Sequence, residues 1–276
     1  MDGTFTSCPD LWDQVYIIHA RVGQNTFPLV FALLPDRQAT TYGRLFRQLK
    51  TEVQERLNRL MSPSKIQIDF EQAVVSAIET EFPQAVIKGC FFHFTQAIWR
   101  KTQSLGLAVM YKEDPRVTQW IRRAAGLALL PIPFVQDAWV QAMQSTPYVP
   151  RAVDFNDYIV RTWVDDDARF SMRMWNHFET DGPRTNNNLE GFHSRLNYLL
   201  PHVHPNIYRF IEVIQKVEFS ERTKVMQLNF GAAPRCRKRI YRETENCLVR
   251  LKDQLQQGDK SAIEYLDACG HLLRLG

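Results

Sequence analysis

The sequence predicts an α/β protein with a mixed five-stranded sheet and flanking helices, interrupted by an α-helical insertion and followed by C-terminal helices. Three observations predict this class. Two apolar, β-branched runs lie close together at residues 15–20 and 27–34. Short strand patterns then alternate with longer helical patterns up to about residue 109. Beyond residue 110 the strand patterns stop and only helical patterns continue.

The two apolar runs predict a β-hairpin, because residues 22–25 between them supply Gly and Asn for a turn. A long helix follows, with Thr40 or Thr41 as its expected N-cap. Ser62-Pro63-Ser64 ends it. The apolar side chains keep to one face of this helix; they are Tyr42, Leu45, Phe46, Leu49, Val53, Leu57 and Leu60.

A short strand ending at Asp69 comes next, followed by a helix over residues 71–81. Its apolar side is formed by Val74, Val75 and Ile78. Residues 85–92 predict another strand, and residues 93–105 another helix. An initial strand at Asp2 would complete the five-stranded sheet.

The segment from about 110 to 182 predicts short helices separated by prolines, at residues 116–130, 134–143 and 154–164. Its large aromatic side chains, like Trp99 just before it, are interpreted as core; they are Trp120, Phe134 and Trp139. A further helix is predicted over residues 187–200, and long helices continue to the end.

The composition is that of a folded protein, with 45% hydrophobic and 23% charged residues in a chain of 276. The formal net charge is +4, and the basic excess lies after residue 202. This excess favours an anionic partner without requiring one.

The chain's compartment is predicted from three features. Five irregularly spaced cysteines indicate reduced thiols. No apolar run approaches the roughly 18 residues of a membrane span. An acid directly after Met1 is not typical of a secretory leader. We therefore expect a soluble intracellular protein that does not contact membranes.

Three acids from distant segments carry the functional hypothesis: Asp2, Asp69 and Glu190. Asp69 stands at the carboxyl end of a strand, where open α/β sheets place their sites. Carboxylates from separate elements can bind two Mg²⁺ or Mn²⁺ ions about 3.5–4 Å apart, as phosphoryl transfer requires. From the residues alone, Asp69 as a cap of the next helix is an alternative.

Other candidate sites are weaker. Cys90 and His93 have the spacing of half a zinc site, but no second pair follows at finger spacing, so zinc is not predicted. A buried strand thiol and a helix-start histidine are the simpler interpretations. The acidic run at residues 165–167 is interpreted as a solvated turn.

Several blocks, in order, resemble the transposase domain of Mutator-like elements (MULE), a family of DDE transposases. They cover about residues 2–200 and are individually weak but together specific. The blocks are Asp2-Gly-Thr-Phe5, Gln14-Val-Tyr-Ile-Ile-His19, Pro28 to Pro35, Thr41-Tyr42, Asp69-Phe-Glu71, Gly89-Cys-Phe-Phe-His-Phe94, Tyr158, Thr162-Trp163, Trp175-Asn176 and Asn187 to His193.

The resemblance implies an RNase H-like catalytic fold with a helical insertion before the last acid. It implies that Asp2, Asp69 and Glu190 are catalytic residues and metal ligands that bind two ions of Mg²⁺ or Mn²⁺. The reaction would be metal-dependent DNA cleavage at transposon ends and strand transfer into target DNA, in the nucleus. Self-association is left open.

The corresponding domain prediction has four parts. Residues 1–109 are the first part of the RNase H-like core, and 110–182 the helical insertion. Residues 183–202 hold the last catalytic helix. Residues 203–276 form a basic C-terminal helical region.

Supporting roles are expected for Cys90 and His93, by resemblance to a Cys-x-x-His motif of related transposases. His193 lies one helical turn beyond Glu190, so it is expected to orient the carboxylate or contact phosphate; a structural histidine is the alternative. DNA contacts are expected from basic side chains: Arg184, Arg235, Arg237, Lys238 and Arg239. For the cluster around residues 235–239, a nuclear-import signal or a solvated helix face are alternatives.

The sequence departs from the family at its start. Only Met1 precedes Asp2, so the first strand is expected to be truncated, and the N-terminal DNA-binding region of family members is missing. The alternative function is therefore a catalytically inactive or domesticated transposase-derived module, associated with nuclear DNA or with other proteins.

Overall fold

The computed structural model describes residues 1–23, 25–180, 184, 187–200, 202–233, 239–273 and 275, with the side chains of 187, 188 and 190 left out. Within these residues the chain is a mixed α/β protein with small sheets and many helices, as predicted. It divides into two compact units. The first contains residues 1–88 and 186–236, and the second contains residues 89–185 and 237–276.

The first unit begins with an antiparallel sheet of β1 (Asp2–Thr4), β2 (Gln14–Val22) and β3 (Asn25–Leu34), in the order β1-β2-β3. The predicted hairpin is confirmed as β2 and β3. Gly23 has a φ of +59° in its turn, a conformation that glycine adopts without steric cost. A bulge at Ile18 and His19 shifts the register of the pair.

The second sheet pairs β4 (Lys65–Ile68) with β5 (Val86–Gly89). The prediction of one five-stranded sheet is therefore wrong for the described residues. β1 and β4 are short, with 3 and 4 residues, and each pairs within its own sheet. The N-terminal amine of Met1 nevertheless donates a hydrogen bond to the carbonyl of Gln67, at 2.8 Å.

Helices α1 (Ala39–Leu57) and α2 (Gln72–Glu81) pack together in the first unit. The N-cap prediction at Thr40 or Thr41 is wrong, because the carboxylate of Asp36 accepts the Gln38 N–H and closes the turn before the helix. Only the first half of the apolar face of α1 is buried. Tyr42 and Phe46 are its buried residues, whereas Leu57 is exposed.

The carboxylate of Glu81 joins α2 to α1. It accepts hydrogen bonds from Arg47 and from Lys50, each at 2.6 Å, while its side chain is 7% exposed. These hydrogen bonds and the two cations hold the pKa of Glu81 below its usual value. The pair of charges fixes the end of α2 against the middle of α1.

Helices α9 (Asn187–Leu199) and α10 (Ile207–Asn229) complete the first unit. Their apolar side chains form one core with β2, in which Val15 and Ile17 pack with Leu196, Val213 and Val217. The alternation of side chains along a strand places Val15 and Ile17 on one face of the sheet. Asp2 is paired with Ile17 and therefore shares that face.

The second unit is helical, as predicted for the segment after residue 110. Its helices are α3 (Phe91–Ser104), α4 (Ala108–Glu113), α5 (Pro115–Gly126), α6 (Ile132–Gln144), α7 (Ala152–Ile159), α8 (Met172–Trp175), α11 (Arg239–Gln256) and α12 (Ala262–Leu272). Trp120 and Trp139 are buried core residues, as predicted, and Trp99 is half-buried. Phe134 is 50% exposed, so its core prediction is wrong; the buried face of α6 is formed by Val135 and Trp139 instead.

An aromatic cluster forms part of this core. The ring of Phe94 stacks on Trp175 with centroids 5.0 Å apart and meets Trp163 edge-on at 4.8 Å. Trp163 lies in a π-helical continuation of α7, Val160–Val164. The Trp175 Nε1–H donates to the Trp163 carbonyl at 3.0 Å, which satisfies a backbone group in this irregular segment.

Helices α5 and α12 cross closely because glycines lie at their contact. A Cβ at Gly126 would meet Leu266 at 3.2 Å, and one at Gly270 would meet Arg122 at 3.1 Å. Arg123 also makes two hydrogen bonds to the Asp267 carboxylate, at 2.6 and 2.8 Å. The crossing is therefore fixed by both packing and charge.

Candidate functional site

Asp2 is a buried acid on β1 that faces α9. Its carboxylate Oδ2 lies 3.7 Å from Nδ1 of His193, and the two side chains are only 10% and 13% exposed. This distance is too long for a hydrogen bond but short enough for a strong electrostatic interaction. β1 and α9 thus bring together two residues that are far apart in the sequence.

Asp69 directly follows β4 and is half-buried. The N-cap of α2 is Glu71, whose backbone carbonyl accepts the N–H groups of Val74 and Val75, both at 3.1 Å. The alternative of Asp69 as the helix cap is therefore wrong. Three residues, 69–71, separate the strand from the helix, and both acids lie at this junction.

Glu71 is held by a chain of polar side chains that begins on β2. The Gln14 amide donates to the Tyr42 hydroxyl at 2.5 Å, and that hydroxyl donates to Glu71 Oε1 at 2.9 Å. Burial raises the pKa of Glu71, the Tyr42 hydrogen bond opposes this, and the charges of Asp69 and Asp13 add to the rise. The positive charge of Arg37 opposes the rise, so Glu71 lies within range of both acidic and basic groups.

The pKa of Tyr16 is also affected by Asp69 and Glu71. Its side chain is 1% exposed, and burial raises the pKa of its hydroxyl well above the usual value. The charge of Asp69 contributes next, followed by Tyr42, Glu71 and Asp2. Each of these three carboxylates therefore lies within electrostatic range of the Tyr16 hydroxyl.

His19 lies on the Asp2 side of the sheet edge and is neutral at physiological pH. Burial, together with the positive charges of the N-terminal amine and of His193, lowers its pKa to about 3. Its ring meets Phe192 of α9 edge-on, with centroids 5.3 Å apart. The surroundings of Asp2 therefore contain several cationic or polar groups.

Glu190 lies on α9, one helical turn before His193. Its side chain lies outside the described residues, so its predicted place beside Asp2 and Asp69 stays a prediction. Among the described residues, no three His, Cys, Asp or Glu side chains form a group that could hold a metal ion.

Cys90 and His93 belong to the second unit. Cys90 is fully buried at the N-cap of α3 rather than within a strand, because β5 ends at Gly89. His93 is half-buried in the first turn of α3, as predicted for a helix-start residue, and meets Phe92 edge-on at 5.6 Å. Their supporting role stays a prediction.

Two of the predicted DNA-contacting cations are engaged by acids. Arg184 makes two hydrogen bonds to Glu245, at 2.7 and 3.0 Å, in a pair that is largely shielded from solvent. Arg239 makes an exposed pair with Glu243 at 2.6 Å. Arg235, Arg237 and Lys238 lie outside the described residues. DNA contact by this set stays a prediction.

Sequence reasoning did not assign a role to the polar side chains around Asp69. Gln14, Tyr16, Tyr42 and Glu71 all stand inside the sequence blocks that carry the family resemblance. One signal was present: Gln14 is a polar residue at the start of an apolar strand, and it is 1% exposed. A buried amide implies a hydrogen-bonding partner.

Comparison with family models supplies the identification. Residues 1–97 match the model of the MULE transposase domain. Residues 1–97 are a MULE transposase domain. The MULE match includes Asp2, Asp69, Cys90 and His93, and it ends before Glu190. No curated protein and no solved structure gives a significant match to the chain.

The identification relates the chain to transposases, and proteins of this kind generally bind DNA. No helix in the described part of the chain is both long and apolar enough to cross a membrane.

Proposed function

We propose that this chain performs DDE-type transposase chemistry: metal-dependent cleavage of DNA and strand transfer, with Asp2, Asp69 and Glu190 as the catalytic acids. The observation that supports this most is the buried Tyr16 hydroxyl in the shared field of Asp2, Asp69 and Glu71. Asp2 and Asp69, which are far apart in sequence, thus both lie within electrostatic range of one buried hydroxyl.

The proposed fold is RNase H-like, interrupted by a helical insertion. The course of the chain supports this fold. Residues 89–185 belong to the second unit, and α9 and α10 belong to the first unit again. The Met1–Gln67 hydrogen bond further supports a close approach of β1, which contains Asp2, and β4, which directly precedes Asp69. The return of the chain to the first unit is what an insertion before the last acid would produce.

Mg²⁺ or Mn²⁺ fits the donor chemistry of the proposed site, and the carboxylates of Asp2, Asp69 and Glu190 would hold two such ions. Hard divalent cations prefer carboxylate oxygens. Burial is the main cause of the raised pKa values of Tyr16 and Glu71, and the charge of Asp69, which a cation would offset, adds to both. When bound, such ions activate the attacking oxygen and stabilise the leaving one.

The chain's own side chains would position this acidic region. Gln14 and Tyr42 fix the Glu71 carboxylate, and His193 lies against Asp2. Catalysis of phosphoryl transfer depends mainly on such positioning and on charge neutralisation. Glu71 and His193 are therefore positioning residues in this proposal.

Nicking of end-labelled duplex DNA in Mn²⁺ tests the proposed activity. Natural chain should produce nicked strands, and Asp69→Asn and Glu190→Gln variants should not. Asp165→Asn is the matched control, since residues 165–167 lie in the second unit. Undiminished nicking by the Asp69→Asn variant would contradict the assignment.

An inactive, transposase-derived module associated with nuclear DNA or proteins is the second candidate. It is favoured by the pairing of Arg184 with Glu245, which engages a cation expected to contact phosphate. This candidate predicts no nicking in Mn²⁺, with any DNA affinity unchanged by Asp69→Asn. Fluorescence anisotropy with labelled DNA in EDTA, repeated over a range of salt concentrations, measures that affinity and its number of phosphate contacts.

A further inference from the structure

A cleft of about 440 Å³ lies between helices α5 and α12 and the end of α4, all of which belong to the second unit. Helices α5 and α12 are in close contact where the Cβ of Arg122 lies 3.1 Å from the position that a Cβ of Gly270 would occupy. From this contact the cleft extends back along α5 to Pro115. Small-molecule sites typically have volumes of about 300–1,000 Å³, so the cleft has the size of a ligand site.

One side of the cleft is apolar. It contains Leu266 and Gly270, which are buried residues of α12, and the ring of Pro115. Because Gly270 has no side chain, Arg122 packs directly against α12 at the end of the cleft. A concave apolar surface favours a ligand with an apolar body, since binding there removes apolar surface from water.

Arg122 is held in one orientation at the cleft. Its Nε–H donates to the hydroxyl of Tyr111 at 3.0 Å, and its guanidinium lies 5.9 Å from the centre of the Tyr111 ring. Tyr111 is itself buried and meets Trp99 edge-on, with ring centroids 5.1 Å apart. Among the residues that the structure describes, none pairs with the two terminal nitrogens of Arg122. These nitrogens can bind a carboxylate or a phosphate through two parallel hydrogen bonds.

The acids of the cleft do not cancel the charge of Arg122. The carboxylate of Asp267 accepts two hydrogen bonds from Arg123, at 2.6 and 2.8 Å, so its charge is already paired. Lys112 and Glu113 are exposed neighbours at the end of α4, and their charges offset each other. The guanidinium of Arg122 therefore leaves the cleft with a net positive charge, which favours an anionic ligand.

We infer that the cleft between α5 and α12 binds a small organic anion, whose apolar body contacts Leu266 and whose carboxylate or phosphate accepts two hydrogen bonds from Arg122. The exposed imidazole of His271 lines the same cleft and can donate a further hydrogen bond. The inference is independent of the proposed catalytic activity, because the cleft lies in the second unit and contains none of the proposed catalytic acids.

Ligand-observed NMR titration of the full chain with benzoate and with phenyl phosphate tests the inference. Each probe joins one apolar ring to one anionic group, and the better binder identifies the preferred group. Benzyl alcohol lacks the charge and inorganic phosphate lacks the ring, so both should bind about tenfold more weakly or worse. Absence of binding by both ring-bearing anions at millimolar concentration would overturn the inference, and so would an equal affinity for benzyl alcohol.

Two variants locate the binding. Arg122→Gln should raise the dissociation constant of the anion about tenfold or more, because it removes the charged donors. Gln119→Trp should have a similar effect by filling the cleft, and its exposed position should leave the fold intact, as circular dichroism would show. The matched control is Arg116→Gln, an exposed arginine of α5 that pairs with Asp114 outside the cleft, and it should bind as natural chain does. Unchanged affinity in Gln119→Trp would contradict binding in this cleft.

Discussion

Nδ1 of His193 lies 3.7 Å from Oδ2 of Asp2. Residue 2 is on β1 and residue 193 is on α9, so the contact requires the chain to return to its starting strand. Glu190 stands on the same helix, one turn earlier. Through this pair, Asp2 contacts the helix that carries Glu190.

The Asp2–His193 contact should be energetically coupled. Urea unfolding of Asp2→Asn, His193→Gln and the double variant should give an interaction free energy of about 0.5–3 kcal/mol. The exposed pair of Glu52 and Arg56 is the matched control and should give about 0.3–0.5 kcal/mol. Additive effects of Asp2→Asn and His193→Gln would show that the two side chains do not interact.

Tyr42→Phe should destabilise the first unit. The substitution removes both the acceptor of the Gln14 amide and the donor to Glu71, and Gln14 is buried. A buried polar group without its partner costs about 1–3 kcal/mol in unfolding free energy, which urea denaturation measures. Tyr148→Phe, at an exposed position, should change it by less than about 0.5 kcal/mol. Equal effects of the two variants would contradict the hydrogen-bond chain.

His19 should make the stability fall in mild acid. Its folded-state pKa is about 3 against an ordinary value of 6.5, so the unfolded chain binds a proton first. The contribution is complete above pH 6.5 and is lost as the pH falls towards 3, by up to about 1.4 kcal/mol per pH unit. Urea unfolding between pH 7 and 5 should therefore show a steeper loss for natural chain than for His19→Gln. Parallel pH profiles would rule out a neutral, buried His19.

Arg184 should contribute to stability through Glu245. Arg184→Ala should lower the unfolding free energy by about 1.5–3 kcal/mol, because it removes two charge-assisted hydrogen bonds. Glu245→Ala should have a similar effect, and the two together should cost less than their sum. If Arg184→Ala leaves stability unchanged but weakens DNA binding in fluorescence anisotropy, the guanidinium serves DNA and not Glu245.

Much of the fold follows from local sequence patterns. The β2–β3 hairpin, α2 with its buried Val74 and Val75, and the helical segment after residue 110 are all as predicted. These elements have strong periodicity and clear turn residues. The prediction of a helix continuing from residue 154 to 164 also holds, although its last turn is π-helical.

Other features depend on tertiary contacts that periodicity does not encode. The start of α1 is set by a hydrogen bond from the Gln38 N–H to Asp36, outside the helix. The apolar face of α1 predicts burial to Leu60, but α2 covers only its first half. In the candidate site, Asp2 and Asp69 follow from family blocks, whereas the Gln14–Tyr42–Glu71 chain becomes evident only when β2, α1 and α2 are assembled.

The central claim is that Asp2, Asp69 and Glu190 together bind divalent cations, and Mn²⁺-dependent thermal stability tests it most directly. A ligand that binds only the folded state raises the melting temperature, and the rise grows with the logarithm of its concentration above the dissociation constant. Mn²⁺ should raise the melting temperature of natural chain and of Asp165→Asn, and should leave Asp2→Asn, Asp69→Asn and Glu190→Gln unaffected. A Glu190→Gln variant stabilised by Mn²⁺ as fully as natural chain would contradict the claim.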